Sequence, residues 1–301
     1  MLELIKKWTG LFLLGAVAIG FIFPIFAVLK PLMIPLLMLL LYCSFVRMKF
    51  QVKRFVRKEL LIFPIICWII FPPLVYYSTT CLGPALQIGF LLVVITPPAL
   101  GSPVMVSLAK GDLEYTVANV TLFNILSPLV FALLPGFFIK DSTLAINYYD
   151  IFWRVTVIIF IPLLLAYFTE KSLGLKNFVL SKIDPLKGLV QMFLIVIAVA
   201  NSAQQIRAMN NLHLARVVII TFILAGLFYL IGWLIAFNKK MKYTLPITTG
   251  HKNTLLTITI AIASFSEITA LPAVFYLIAH HTYNGIIINL SRKVNTLNEE
   301  V

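Results

Sequence analysis

The sequence predicts an all-α membrane protein: about ten transmembrane helices in two inverted five-helix repeats, with two broken crossover helices. Three observations carry that expectation. The 301 residues are 61% hydrophobic and 12% charged, with mean hydropathy +1.01. A soluble domain of this length cannot bury so much apolar surface, whereas lipid accepts it. The apolar residues also fall into runs of membrane-spanning length. Two of these runs, 83–109 and 244–265, are interrupted by Pro and Gly at corresponding places in the two halves of the chain.

A helix needs about 20 mainly apolar residues to cross a bilayer. Ten segments meet or approach that length: 11–29, 31–46, 60–78, 83–109, 114–138, 150–169, 187–203, 214–237, 244–265 and 268–290. The first follows a short basic start and runs on to Leu29 with no small-residue cleavage pattern, so it reads as a span rather than a signal peptide. Lys30-Pro31 divides the first two, and Glu267, placed at the outer surface, divides the last two. Low-complexity tracts and Gly/Ser linkers are missing, so residues 1–301 form a single membrane domain.

The formal charge of +13 raises nucleic acid as a partner, but the placement of the charges points to membrane orientation instead. With the N-terminus inside, inner segments hold 18 Lys and Arg and outer ones hold 5. Such an excess puts both termini in the cytoplasm. Residues 11–138 and 150–290 share one layout, and because five is odd the second half enters the membrane from the opposite side. Paired interrupted segments in inverted halves are the best sequence pointer to a transporter's binding site.

The first interruption is Thr96-Pro97-Pro98-Ala99-Leu100-Gly101-Ser102-Pro103. The second runs from Pro246 through Thr248, Thr249 and Gly250 to His251, Lys252 and Asn253. Half-helix N-termini attract anions and C-termini attract cations, so two breaks meeting near the midplane offer both polarities. Ser102, Thr116, Thr248, Thr249 and Asn253 are candidate oxygen donors, although such hydroxyls commonly bond back to their own helix. Gly101 and Gly250 equally suit close helix packing.

Lys252 stands apart. A mid-span lysine costs roughly 2.5–3.5 kcal/mol on insertion scales and needs protein, a partner charge or water around it. Apolar residues run from Leu255 to Phe265 beyond it, which leaves no near end to reach for. His251 is expected to be packed or interfacial, and His280 and His281 to lie at the inner interface. Cys43, Cys67 and Cys81 read as small packing residues, with no metal-ligand cluster and no catalytic constellation in the sequence. The expectation is therefore a non-enzyme without a resident metal or cofactor.

Two motifs carry a family resemblance. Ser107-Leu108-Ala109-Lys110-Gly111-Asp112, followed by Thr116 and Leu126-Ser127-Pro128-Leu129, resembles the fourth-to-fifth-span region of the bile acid:sodium symporter family. Gly250-His251-Lys252-Asn253 resembles that family's Gly-x-Gln-Asn at the second crossover, and Pro31 to Leu40 fits its second span loosely. The resemblance implies a panel domain, a core domain with crossing broken helices, and sodium-driven uptake of a small organic anion by alternating access at the cell membrane.

It also exposes departures. The family's Ser-Asn pair reads Ser102-Pro103, its second hydroxyl in the fifth span reads Val120, its shared glutamate falls on Thr248 and its crossover glutamine on Lys252. Lys252 is thus expected where the family holds its second sodium ion, with Glu59 as a candidate partner. Na⁺ coupling is doubtful on these residues; proton-coupled or uncoupled transport and a non-transporting membrane sensor stay open. Gly111-Asp112-Leu113-Glu114-Tyr115-Thr116 is also similar to a turn of the arsenite exporters. Those carry a cysteine in the first crossover, and residues 96–106 contain none.

Overall fold

The computed structural model describes residues 9–48, 58–139 and 146–299. Lys6, Lys7, Lys140 and the basic stretch 49–57, all used in the charge count, lie outside them. The described residues are mostly helical, with no strand beyond one isolated bridge.

Helix α1 spans Thr9–Ile22. A 3-10 turn, Pro24–Leu32, runs directly into α2, Met33–Phe45, and together they form one apolar span. This corrects the expected boundary at Lys30-Pro31. The chain breaks at Phe23 instead, because Pro24 suits a first helical position where its missing N–H goes unused. Helix α3, Lys58–Ser78, is irregular, with a π-helical stretch at Ile65–Ile70.

Gly83, at φ +87°, sets the turn into α4, Pro84–Ile95, with proline again at the first position. After the first break comes α5, Ser102–Leu108. Lys110 turns the chain at φ 56°, and the Asp112 carboxylate accepts the Tyr115 N–H at 2.8 Å to cap α6, Leu113–Phe138. Inside α6, Pro128 cannot donate to the Asn124 carbonyl, and the Ser127 hydroxyl does so instead at 2.7 Å. Then follow α7 (Tyr148–Lys171), α8 (Leu173–Ala208) and α9 (Asn211–Leu234). Helices α10 (Met241–Gly250) and α11 (Thr254–Ser264) flank the second break, and α12 (Glu267–Glu299) closes the described chain.

Among the described residues, six helices are long and apolar enough to cross a membrane: Pro24–Phe45, Lys58–Ser78, Leu113–Phe138, Tyr148–Lys171, Leu186–Ala208 and Asn211–Leu234. Residues such as Ile25, Val28, Ile69, Leu165 and Ile223 are exposed on the outside, as lipid-facing positions are. Helices α1, α2, α7 and α8 pack on one another. In a second group α10 and α12 pack on α9, and α4 and α11 on α12. Gly89 lets the α4 backbone meet Thr269 and Pro272 of α12, where any Cβ would overlap them. At one end of the bundle Lys30 bonds Glu267 at 2.7 Å, which puts these two expected outer residues on the same face.

Candidate functional site

Both interruptions read from the sequence are real breaks, and they cross. Pro98 and Lys252 form an antiparallel bridge, with Ala99 N–H donating to His251 O at 2.8 Å and Asn253 N–H to Pro97 O at 2.9 Å. The local chemistry explains what gathers there. Pro97 and Pro98 have no N–H, so the stretch after α4 presents carbonyls in excess of donors. Each freed acceptor in a lipid-embedded core needs a partner. Five successive carbonyls find one: Val94 and Thr96 take the Lys252 ammonium at 3.1 and 3.3 Å, and Ile95 takes the Trp68 indole at 2.9 Å. Pro97 takes Asn253 N–H, and Pro98 takes the Asn124 amide at 2.9 Å. On the other strand Gly250 O accepts from the Tyr276 hydroxyl at 2.9 Å.

Lys252 is 1% exposed, buried as its sequence position predicts. Its nitrogen also lies over the rings of Phe63, at 4.7 Å, and Phe228, at 4.5 Å, with the Cys67 thiol beside it. An ammonium at a helix C-terminus between two aromatic faces is favourably placed by the helix dipole and by cation–π attraction, the latter worth about 2 kcal/mol when desolvated. Among the described residues no carboxylate stands within ion-pair distance. The cage is made of dipoles.

Glu59 is therefore not the partner of Lys252. Its carbonyl accepts from Tyr115, and the residues of α3 that reach the nitrogen are Phe63 and Cys67, one and two turns further on. Cys67 lies in the π-helical stretch and is buried.

Of the other candidates, Asn253 joins the crossing through its N–H and through its side chain, which donates to Asn124 at 3.3 Å. Thr96, a member of the first break, shares a very short hydroxyl contact with Thr257. The Ser102 hydroxyl pairs with His251 Nδ1 at 3.2 Å. Thr116, Thr248 and Thr249 bond back to Asp112, Thr244 and Leu245, the alternative open to helical hydroxyls. Gly101 has ordinary room beside His251, whereas a Cβ on Gly250 would enter the Tyr229 ring. Pro103 sits in the first turn of α5, and Pro246 lies inside α10.

Sequence reasoning missed Trp68, Asn124, Tyr276 and the two rings over Lys252. Asn124, a polar residue in an apolar run, was the only one with a visible signal. His280 is buried in the protein, whereas His281 is partly exposed. His280 is 2% exposed and meets the 4%-exposed His251 edge-on, ring centroids 4.7 Å apart, with His281 alongside. Consecutive residues on α12 reach the crossing because that helix packs along α11. The three imidazoles, which sequence reasoning did not bring together, have ligand atoms within 4.8 Å of one another.

Residues 11–292 match the model of the SBF-like CPA transporter family. The chain is 28% identical over 204 residues to a Bacillus subtilis protein described as the uncharacterized sodium-dependent transporter YocS. That alignment covers 65% of this chain and 61% of the relative's length, under two thirds of it.

Proposed function

Because the chain belongs to the SBF-like CPA transporter family, and so to the multi-pass membrane transporters, we propose that it moves a small organic anion by alternating access without sodium, using Lys252 as a built-in cation. In this reading each broken pair counts as one membrane segment, which makes ten, arranged as two inverted five-helix repeats in the cell membrane. Helices α1, α2, α7 and α8 form one moving body, and the remainder, with the crossing, forms the other. Both termini face the cytoplasm.

The observation that carries the proposal is the position of the Lys252 nitrogen on the carbonyls of Val94 and Thr96. Carbonyls freed at a helix C-terminus are what a bare Na⁺ would bind. With the ammonium in place, a sodium ion on the same oxygens would stand within ~4 Å of it, a repulsion of about 4 kcal/mol at an effective dielectric of 20. The tethered charge excludes the mobile one. It also leaves an uncompensated positive potential beside the N-terminus of α11, which favours an anionic substrate over a cationic one.

Uptake of labelled carboxylates into liposomes containing the purified protein tests this. Wild-type transport is expected to be unchanged when K⁺ replaces Na⁺, and Lys252→Gln is expected to become sodium-dependent. A wild type driven by a sodium gradient, or a Lys252→Gln protein that transports like it with no sodium response, would remove the proposal. Absence of counterflow with a substrate that still binds would favour a sensor.

A further inference from the structure

Beside the Lys252 cage three histidines converge. His251 is the first residue after α10, and His280 and His281 are neighbours on α12. Ring centroids are 4.7 Å apart for His251 and His280, 4.4 Å for His280 and His281, and 5.7 Å for His251 and His281. The Nδ1 atom of His280 is buried and has no hydrogen-bond partner among the described residues. The amide nitrogen of Asn284, one turn further along α12, is in the same state. A buried polar atom left unpaired costs about 1–3 kcal/mol, and the His280 imidazole nitrogen, unlike the donor amide of Asn284, is one that a cation could satisfy.

We propose that His251, His280 and His281 form a binding site for one divalent transition-metal ion of the zinc type. A proton satisfies one imidazole lone pair, whereas a metal ion takes one from each ring at once. The donor set is all nitrogen with no carboxylate, which suits Zn²⁺, Co²⁺, Ni²⁺ or Cu²⁺ and not Mg²⁺ or Ca²⁺. Tetrahedral bonds of 2.0–2.1 Å place ligand nitrogens on the order of 3.4 Å apart. Ligand atoms within 4.8 Å of one another would close by up to about 1.4 Å on binding an ion.

The Ser102 hydroxyl on His251 Nδ1 acts as the outer partner that orients a metal-binding imidazole and leaves its Nε2 free. His281 is partly exposed and supplies the way in. The ion would tie the second break to α12, and through Ser102 to α5. This site stands whether or not the chain transports an anion.

The test uses full-length protein in detergent, with any affinity tag removed and metal stripped by chelation. Elemental analysis after equilibration is expected to give one Zn²⁺ per chain. Bound Co²⁺ should show tetrahedral visible absorption that equimolar Zn²⁺ abolishes and a roughly 100-fold excess of Mg²⁺ does not. His280→Gln and His281→Gln should each weaken Zn²⁺ binding at least about tenfold, the scale on which even outer partners act. His213→Gln, which alters a histidine outside the cluster, should leave binding unchanged. His281→Cys, at the partly exposed position, keeps a ligand and should add a thiolate charge-transfer band to the Co²⁺ spectrum, which a misfolded protein would not show. Wild-type protein that takes up no stoichiometric Zn²⁺, or glutamine variants that bind as wild type does, would overturn the site.

Discussion

Lys252 and Gly250 stand two residues apart and meet opposite demands. Lys252 needs dipoles around a charge that cannot reach water, and the carbonyls of α4 with the rings of Phe63 and Phe228 supply them. Gly250 needs the absence of a side chain, because the Tyr229 ring occupies the space a Cβ would take. That ring is held in turn, its hydroxyl reaching Asn284 Oδ1 at 2.6 Å and the His280 carbonyl at 3.0 Å, and it has little freedom to withdraw. Gly250→Ala is therefore expected to destabilise the protein by about 1–3 kcal/mol, the cost of overpacking. Gly285→Ala, where nothing lies within 4 Å of a new Cβ, should be neutral or stabilising by up to about 1 kcal/mol through helix propensity. Thermal unfolding of the two variants in one detergent decides it, and equal melting temperatures would mean that the Tyr229 contact is not maintained.

At the scale of elements, the crossing is a problem in hydrogen-bond satisfaction. Prolines 97 and 98 stop α4 and remove donors, so the partners that arrive from other helices are donors: an ammonium, an indole and two amides. Asn124 is the element-level link, since it bonds Pro98 O from α6 while accepting from Asn253. Asn124→Ala leaves both groups unpaired, each at about 1–3 kcal/mol, and the melting temperature should fall accordingly. Thr121→Val, one turn earlier on α6, removes a buried hydroxyl that has no partner among the described residues, and should leave stability unchanged or raised. If Asn124→Ala melts with the wild type, water has replaced the link and the crossing is wetter than its side chains suggest.

For the whole molecule, the prediction concerns orientation. Cys81 is exposed between α3 and α4, whereas Cys43 and Cys67 are buried. With the N-terminus inside, the turn carrying Cys81 follows the third membrane segment and faces outward, on the same side as the Lys30–Glu267 pair. A membrane-impermeant maleimide added to intact cells should label Cys81 and spare the other two. Labelling that requires permeabilised cells would invert the proposed topology, and the inside placement of both termini would go with it.

What the sequence determined alone was whatever follows from covalent rules and from the cost of polar groups in lipid. Proline and glycine clustered with polar residues stop a helix, so the breaks near 96–103 and 246–253 were legible, whereas single prolines such as Pro31, Pro128 and Pro246 lie inside helices. A lysine with apolar residues beyond it cannot reach water, so its burial was legible too. Tertiary structure decided the partners. Glu59, chosen for its charge, yields to carbonyls, rings and a thiol, and Trp68, Asn124 and Tyr276 come from separate helices whose rotation no local pattern sets. His280 and His281 meet His251 for the same reason: which face of α12 turns toward α11 depends on long-range packing, and a chain of apolar residues on all sides carries little amphipathic signal to reveal it.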